Sequence, residues 1–320
     1  MKTAHHTPRQ ASPFGGWGAL ATAIMLLLSL TAQGQGARSK VQEDTQSTDN
    51  TLAPSFSPLA PDINKEVLHS TLFGAGWANV LDTYLSPYNY KGTDIRIQRE
   101  TMRMTNLWQG RVSNQSLIDV NASINKNHTR NRDEYAGGIR YSQGWFYNFM
   151  GGNTVNPLAP RTSSRTSSLP RWNFSAGLVA SGYIGGIYID RSGNNPAQAK
   201  ADLMIDVSGM ATYDMQIARH HYLWRYQVWL PFIGIAFSPN YGQSYYEAFT
   251  LGQKDHNVVF AYPGNMPSMR HKITLDIPIR RYTLRVGYVA QIQQSTFNHL
   301  KHHYYTHDLM IGFNKYLYRR

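Results

Sequence analysis

Near the C-terminus, apolar and polar residues alternate with a period of two over three successive stretches. Between Thr283 and Ser295 one parity holds Leu284, Val286, Tyr288, Ala290 and Ile292. The other holds Thr283, Arg285, Gly287, Val289, Gln291, Gln293 and Ser295. From Tyr305 onward His307, Leu309, Ile311, Phe313 and Leu317 alternate with Thr306, Asp308, Gly312 and Asn314. Just before, Ile273, Leu275, Ile277 and Ile279 alternate with Lys272, Thr274, Asp276 and Pro278. Successive side chains of a strand point to opposite faces, so each stretch presents one apolar and one polar face. Strands this long, with their charge confined to one face, fit a transmembrane β-barrel whose apolar side meets hydrocarbon.

The N-terminus places such a barrel. Lys2 and Arg9 precede an apolar run from Ala19 to Leu30, and Ala32-Gln33-Gly34 supplies small residues for cleavage. This is the layout of a secretory signal peptide over 1–34, and the apolar run is short of the ~20 residues a spanning helix needs. The chain has no cysteine, which excludes disulfides and thiolate chemistry. Losing Lys2 and Arg9 takes the formal charge from +12 to +10. The basic residues are spread out on an exported chain, so anionic headgroups of outer-membrane lipid are expected as partners, and nucleic acid is not. The 21 Tyr and 7 Trp suit membrane–water interfaces. A mean hydropathy of −0.44 argues against a helical membrane protein but not against a barrel with polar inward positions.

Residues 35–65, rich in Gln, Ser, Thr, Asp and Pro, read as a disordered periplasmic leader, and 66–320 as the barrel. Strands are predicted from Val67 to Trp77, Thr93 to Met104, around Ile118–Ile124, Tyr135–Tyr147, Trp172–Tyr188, Leu203–Tyr213 and Tyr222–Phe237, followed by the three C-terminal ones. Arg99 and Arg103 interrupt the face of the second strand opposite Arg96, Gln98 and Glu100. Loops are predicted at Asn79–Gly92, Asn127–Asp133, Gly151–Pro170, Asn194–Gln198 and Ser238–Ser268. The expected fold is an all-β, antiparallel, up-and-down barrel of about 10–12 strands, the higher figure if a hairpin hides in 151–170. Soluble sandwiches also alternate, but their strands average ~5–6 residues, about half the length of many of these. With both termini in the periplasm, the Arg280-Arg281 and Ala218–His220 turns fall inside and the loops at Asn194 and Ser238–Ser268 outside.

Several longer motifs carry a resemblance: Asn79-Val80-Leu81-Asp82-Thr83-Tyr84-Leu85-Ser86-Pro87, Asn194-Asn195-Pro196-Ala197-Gln198-Ala199, Phe237-Ser238-Pro239-Asn240-Tyr241-Gly242-Gln243-Ser244-Tyr245-Tyr246-Glu247, and Asp255-His256-Asn257-Val258-Val259. Tyr305-Thr306-His307 and Met310-Ile311-Gly312-Phe313 complete it. Over about Leu72 to Tyr318 the chain resembles the outer-membrane family of Gram-negative bacteria catalogued as domain of unknown function 3316. That resemblance implies an outer-membrane barrel and carries no activity. A barrel of this kind also implies the barrel-assembly machinery as a partner during biogenesis, and a monomer afterwards.

For chemistry, a Ser/His pair at the outer rim would suit a lipid acyl hydrolase. Ser244 or Ser238 would be nucleophile, His256 base, and Asp255 or Asn257 the orienting group. Nothing in their spacing requires them to meet. The competing reading is a folded extracellular cap built from Asn195, Pro196, Asn240, Tyr241, Gly242, Gln243, Tyr245, Tyr246 and Glu247, and it is preferred. A protease using Asp82, Asp94 and Asp255–His256 has no distinguishing signal. His299, His302, His303 and His307 lack metal spacing: His303 and His307 share a face but lie about 13 Å apart at ~3.3 Å per residue. No metal or cofactor is expected. Glu100, Asp119, Arg140, Asp206, Arg225, Asp276, Arg285 and Asp308 fall on inward parity and read as a lumen network that plugs a narrow barrel. The expected role is a non-catalytic envelope protein, with the rim hydrolase as alternative.

Overall fold

The computed structural model describes residues 66–129, 131–150, 172–190, 196–217, 220–252, 255–279 and 282–318. The signal segment, the leader, the 151–170 segment and Asn195 lie outside the described residues.

The strands are β1 (Glu66–Asp82), β2 (Ser86–Met104), β3 (Val112–Lys126), β4 (Asp133–Asn148), β5 (Trp172–Ile189), β6 (Ala197–Ile217), β7 (His220–Phe237), β8 (Val258–Ala261), β9 (Met269–Ile279), β10 (Tyr282–Phe297) and β11 (Leu300–Tyr318). Among the described residues a short helix, α1, spans Tyr245–Phe249. Each strand pairs antiparallel with its neighbours in the order β6-β5-β4-β3-β2-β1-β11-β10-β9-β7, and β7 returns to β6. Ten strands therefore close a barrel. β1 and β11 form the seam, in register from Glu66↔Tyr318 to Asp82↔His302. β8 stands outside this count. It pairs only with the last residues of β7, Gly234–Phe237, where β9 has ended.

The alternation sorts side chains as a membrane barrel requires. Outward positions carry Phe73 and Trp77 on β1, Ile95 and Ile97 on β2, Leu178 and Ile184 on β5, Leu203 and Ile205 on β6, and Leu309, Ile311 and Phe313 on β11. Ile184 is 73% exposed and Leu309 64%, whereas inward Arg285 is 0% exposed. This inverts the arrangement of a water-soluble protein, in which charge is almost never buried and apolar side chains are. Aromatic rings gather towards the strand ends. Trp172, Phe174, Tyr213 and Trp224 stack at the end bearing the chain termini, and Tyr135 meets Tyr188 at the other.

Three departures from the sequence reading have local causes. The Asn79–Gly92 stretch is not a loop: β1 continues to Asp82, a turn takes 83–85, and β2 begins at Ser86. Beyond the apolar belt both faces of a strand are free to be polar, so the loop-like composition there hides a strand. The Ser238–Ser268 loop contains α1 and β8. On β7 the register shifts where Asp206 pairs with Pro231 and Ile205 with Ile233. Phe232 is the extra residue of this bulge, and Phe232 and Ile233 both face outward. Proline, lacking an N–H, is tolerated at such a position.

Candidate functional site

The inward faces fill the barrel with side chains in tiers. Towards the termini end, Leu68, Met102, Met104, Leu117, Phe146, Val179, Met210 and Trp229, drawn from β1 to β7, form one apolar cluster. Above it Glu100 receives Lys272 Nζ at 2.9 Å, Arg285 Nη1 at 3.2 Å, Arg225 Nη1 at 3.3 Å and Gln115 Nε2 at 2.6 Å. Arg285 also forks onto both oxygens of Asp276, at 2.6 and 2.7 Å. Such two-pronged guanidinium contacts are among the stronger charge-assisted bonds.

The next tier reverses the sign. Arg96 donates to Asp308 at 2.7 Å, Asp119 at 2.8 Å and Thr306 at 2.7 Å, with Asp94 at 3.7 Å. Tyr304 and Asn121 donate to Asp94. On the other wall Arg140 forks onto Asp202, and Arg270 reaches Asp206 at 3.0 Å. The Arg140 guanidinium lies over the Tyr183 ring at 4.7 Å. That ring has room because Gly138 and Gly185 flank it: a Cβ on Gly138 would sit 2.6 Å from the Tyr183 hydroxyl. Isolated buried charges are costly, and a buried ion pair holds only when its remaining groups are satisfied. Here each carboxylate faces at least one guanidinium or ammonium.

All eight inward charged residues picked from the sequence lie buried in these tiers. The structure joins Glu100 with Arg225, Arg285 and Asp276 in one cluster, and Asp119 with Asp308 through Arg96. Arg140 and Asp206 take partners that the sequence reading left unassigned, Asp202 and Arg270. Arg96, Lys272, Asp94 and Lys200 were also left out. All six occupy inward parity, and that is the signal that finds them.

Two contacts cross the full width. β1 and β6 stand five places apart in the ring of ten, as do β2 and β7. Lys200 of β6 meets Asp82 of β1 at 2.7 Å, and Arg225 of β7 meets Glu100 of β2. The lumen is thus bridged wall to wall near both ends.

The loop end, beyond the belt, is covered by the 238–257 segment. Ser244 caps α1, accepting from the Glu247 N–H while the Glu247 carboxylate accepts from the Ser244 N–H. Asn240 and Gln243 close a turn on each other, with Gly242 at φ +77°. The cap is tied down at three places. Tyr84, in the β1–β2 turn, donates to the Gln243 carbonyl at 2.8 Å. The Ala199 N–H donates to the Tyr245 hydroxyl at 2.7 Å. Asn298, in the β10–β11 turn, donates to the carbonyls of Ser238 and His256. Tyr241 and Tyr246 project to the exterior, and Pro196 accepts from the Ile189 N–H.

The proposed catalytic residues are placed as follows. Ser244 is engaged as a helix cap, and the Ser238 hydroxyl donates to the Pro239 carbonyl. His256 sits in a turn at φ 62°, and the Asp255 carbonyl accepts from Asn240. Asn257 is buried, its carbonyl accepting from the Ser238 N–H. Among the described residues no hydrogen bond joins these five side chains at one point. A different row lies beneath the cap: Asp82, His302 and Ser295 face each other across β1, β11 and β10. His302 Nδ1 is 3.4 Å from Asp82. Ser295 and His302 line a cavity of about 30 Å³ with Lys200, Asp202, Ser238 and Met266, room for about one water. Among the described residues no serine hydroxyl hydrogen-bonds a histidine ring. Burial works to raise the Asp82 carboxyl pKa, but Lys200 and His302 outweigh it and hold it at about 2. Burial, then the Lys200 charge, lower the His302 pKa. His303 stacks on Tyr305, and His307 hydrogen-bonds Tyr288 on the outer face. No metal-binding group of three appears among the described residues.

The sequence matches the family described as protein of unknown function (DUF3316) over residues 21–320. The chain belongs to that family. Among curated proteins none matches this DUF3316 chain. Among solved structures, the transport unit of the autotransporter AIDA-I from Escherichia coli is similar at a TM-score of 0.37 and 8% identity, covering 92% of this chain and 97% of that one. The COG4313 outer membrane channel from Pseudomonas putida F1 is similar at 0.34 and 6%, covering 83% and 100%. These are loose likenesses. The ten-strand closure of the DUF3316 chain stands on its own strand pairing.

Proposed function

We propose that this protein is an outer-membrane β-barrel with a sealed lumen, serving the cell envelope as a non-catalytic surface or structural component. The carrying observation is the inversion of polarity on a closed sheet, with an exposed apolar belt outside and ion pairs such as Glu100–Arg225 spanning the inside. Hydrocarbon is the surrounding that makes such a belt stable. The N-terminal segment would direct export, the barrel-assembly machinery would insert the chain, and the braced cap would face outward. A filled interior argues against a general porin, whose aqueous channel needs ~16–18 strands. Hydrolysis of an acyl ester at the rim remains the second reading. It attaches to the Ser295–His302–Asp82 row, and is weaker because Lys200 already neutralises Asp82 and the cavity holds so little.

Purified protein in a planar bilayer tests both. The expected result is no stepwise conductance of porin size, with Ser295 unlabelled by a fluorophosphonate. Regular open-channel steps would overturn the sealed lumen, and labelling of Ser295 lost in His302→Ala would promote the hydrolase.

A further inference from the structure

On the outer face of the seam, at the termini end of the belt, four basic side chains come together. His69 of β1 stands opposite Lys315 of β11 and opposite Thr101 of β2. Arg99 and Arg103 flank Thr101 two residues to either side, opposite Thr71 and Val67. Directly opposed positions lie ~5 Å apart and diagonal ones ~7–8 Å, so the four form one patch. Arg99, Arg103 and Lys315 are exposed. Among the described residues they form no ion pair, and the neighbouring outward positions Thr71, Phe73, Ile97, Ser116, Ile118, Ile311 and Phe313 include no carboxylate. By contrast, every buried cation of the lumen named above has an anionic partner.

The patch has a definite height. Phe73, Ile97 and Ile311 lie immediately above it, so the cations sit where the belt gives way to headgroups. Elsewhere around this end the outward positions include the aromatics Trp172, Phe174, Tyr213 and Trp224. Uncompensated arginines at the foot of an apolar belt call for an anion at that depth. Arginine forks onto phosphate oxygens, and a long side chain reaches the headgroup layer while its stem covers apolar surface.

We propose that the β11–β1–β2 face binds the phosphate of an anionic glycerophospholipid in the leaflet at the termini end, through Arg99, Arg103 and Lys315 with His69 between them. This rests on the outer-membrane reading and adds a fixed lipid at the seam. Each basic residue near an anionic membrane surface strengthens attraction about five-fold, so removing two arginines should weaken retention about thirty-fold.

The test uses the full mature protein in nanodiscs of phosphatidylcholine alone or mixed with phosphatidylglycerol, with retained lipid read by native mass spectrometry. Wild type should carry phosphatidylglycerol out of the mixture well above its share, and high salt should reduce this. Arg99→Gln/Arg103→Gln should lose the enrichment, while Lys301→Gln, an exposed cation at the other end, should keep it. Equal retention of both lipids by wild type, or unchanged enrichment in the double variant, overturns the site. The wild-type comparison stands even where the variant does not fold. Failure of every protein to enter any nanodisc would instead strike the membrane reading itself.

Discussion

Glu134, second residue of β4, shows how a single group in this barrel sets a pH response. It faces inward at the loop end, beyond the belt, and is fully buried. Among the described residues its carboxylate takes one hydrogen bond, a long one from Asn125, 3.4 Å. Burial, with the Asp82 charge, raises its pKa to about 8. The folded state therefore keeps a proton that the unfolded chain releases near pH 4.5. Stability is lost as pH rises from there towards 8, and the loss levels off above it. Glu134→Gln resembles the protonated acid, so its melting temperature should pull ahead of wild type across that window, measured by differential scanning fluorimetry. A constant gap from pH 4 to 9 would show that Glu134 ionises freely. At this scale the sequence reveals which way a side chain points but not whom it meets. Arg140 and Arg225 are assigned inward from parity alone. Their partners lie on strands two and five places away, and no local pattern encodes that distance.

The element with the most to lose from one substitution is α1, only five residues long. A helix this short does not hold itself, because nucleation is unfavourable and few bonds follow it. The reciprocal Ser244–Glu247 cap and the three ties, to the β1–β2 turn, the start of β6 and the β10–β11 turn, hold it instead. Ser244→Ala should cost about 1 kcal/mol of local stability. Limited proteolysis within 238–257 should then quicken about five-fold, with the heat-modifiable migration of the barrel unchanged. Loss of the barrel form in this variant would mean the cap is integral to closure. The helix is legible: Ser244-Tyr245-Tyr246-Glu247 has the spacing of a capping box, though the turn residues around it mask the signal. The long strands were legible too, wherever the belt imposes alternation. Outside the belt that pressure vanishes, and β1 and β2 there are written in the residues of a loop.

For the whole molecule, polarity is fixed by closure. Ten paired strands leave no edge, and the cross-barrel pairs Lys200–Asp82 and Arg225–Glu100 form only when the opposite wall is in place. The expectation of about ten to twelve strands is met at ten, with β8 lying outside the ring. Removing residues 300–318 deletes β11, and the truncated protein should show no heat-modifiable band and no protease-resistant core. A folded, resistant product would show that β10 can pair with β1 instead. The seam joins the start of β1 to the last residues of β11, across some 250 positions of chain. Loop closure over such a separation comes late, so a chain made from its N-terminus must wait for β11 before any of it is secure. Until that strand docks a copy stays vulnerable to destruction, and only a shut ring can lock.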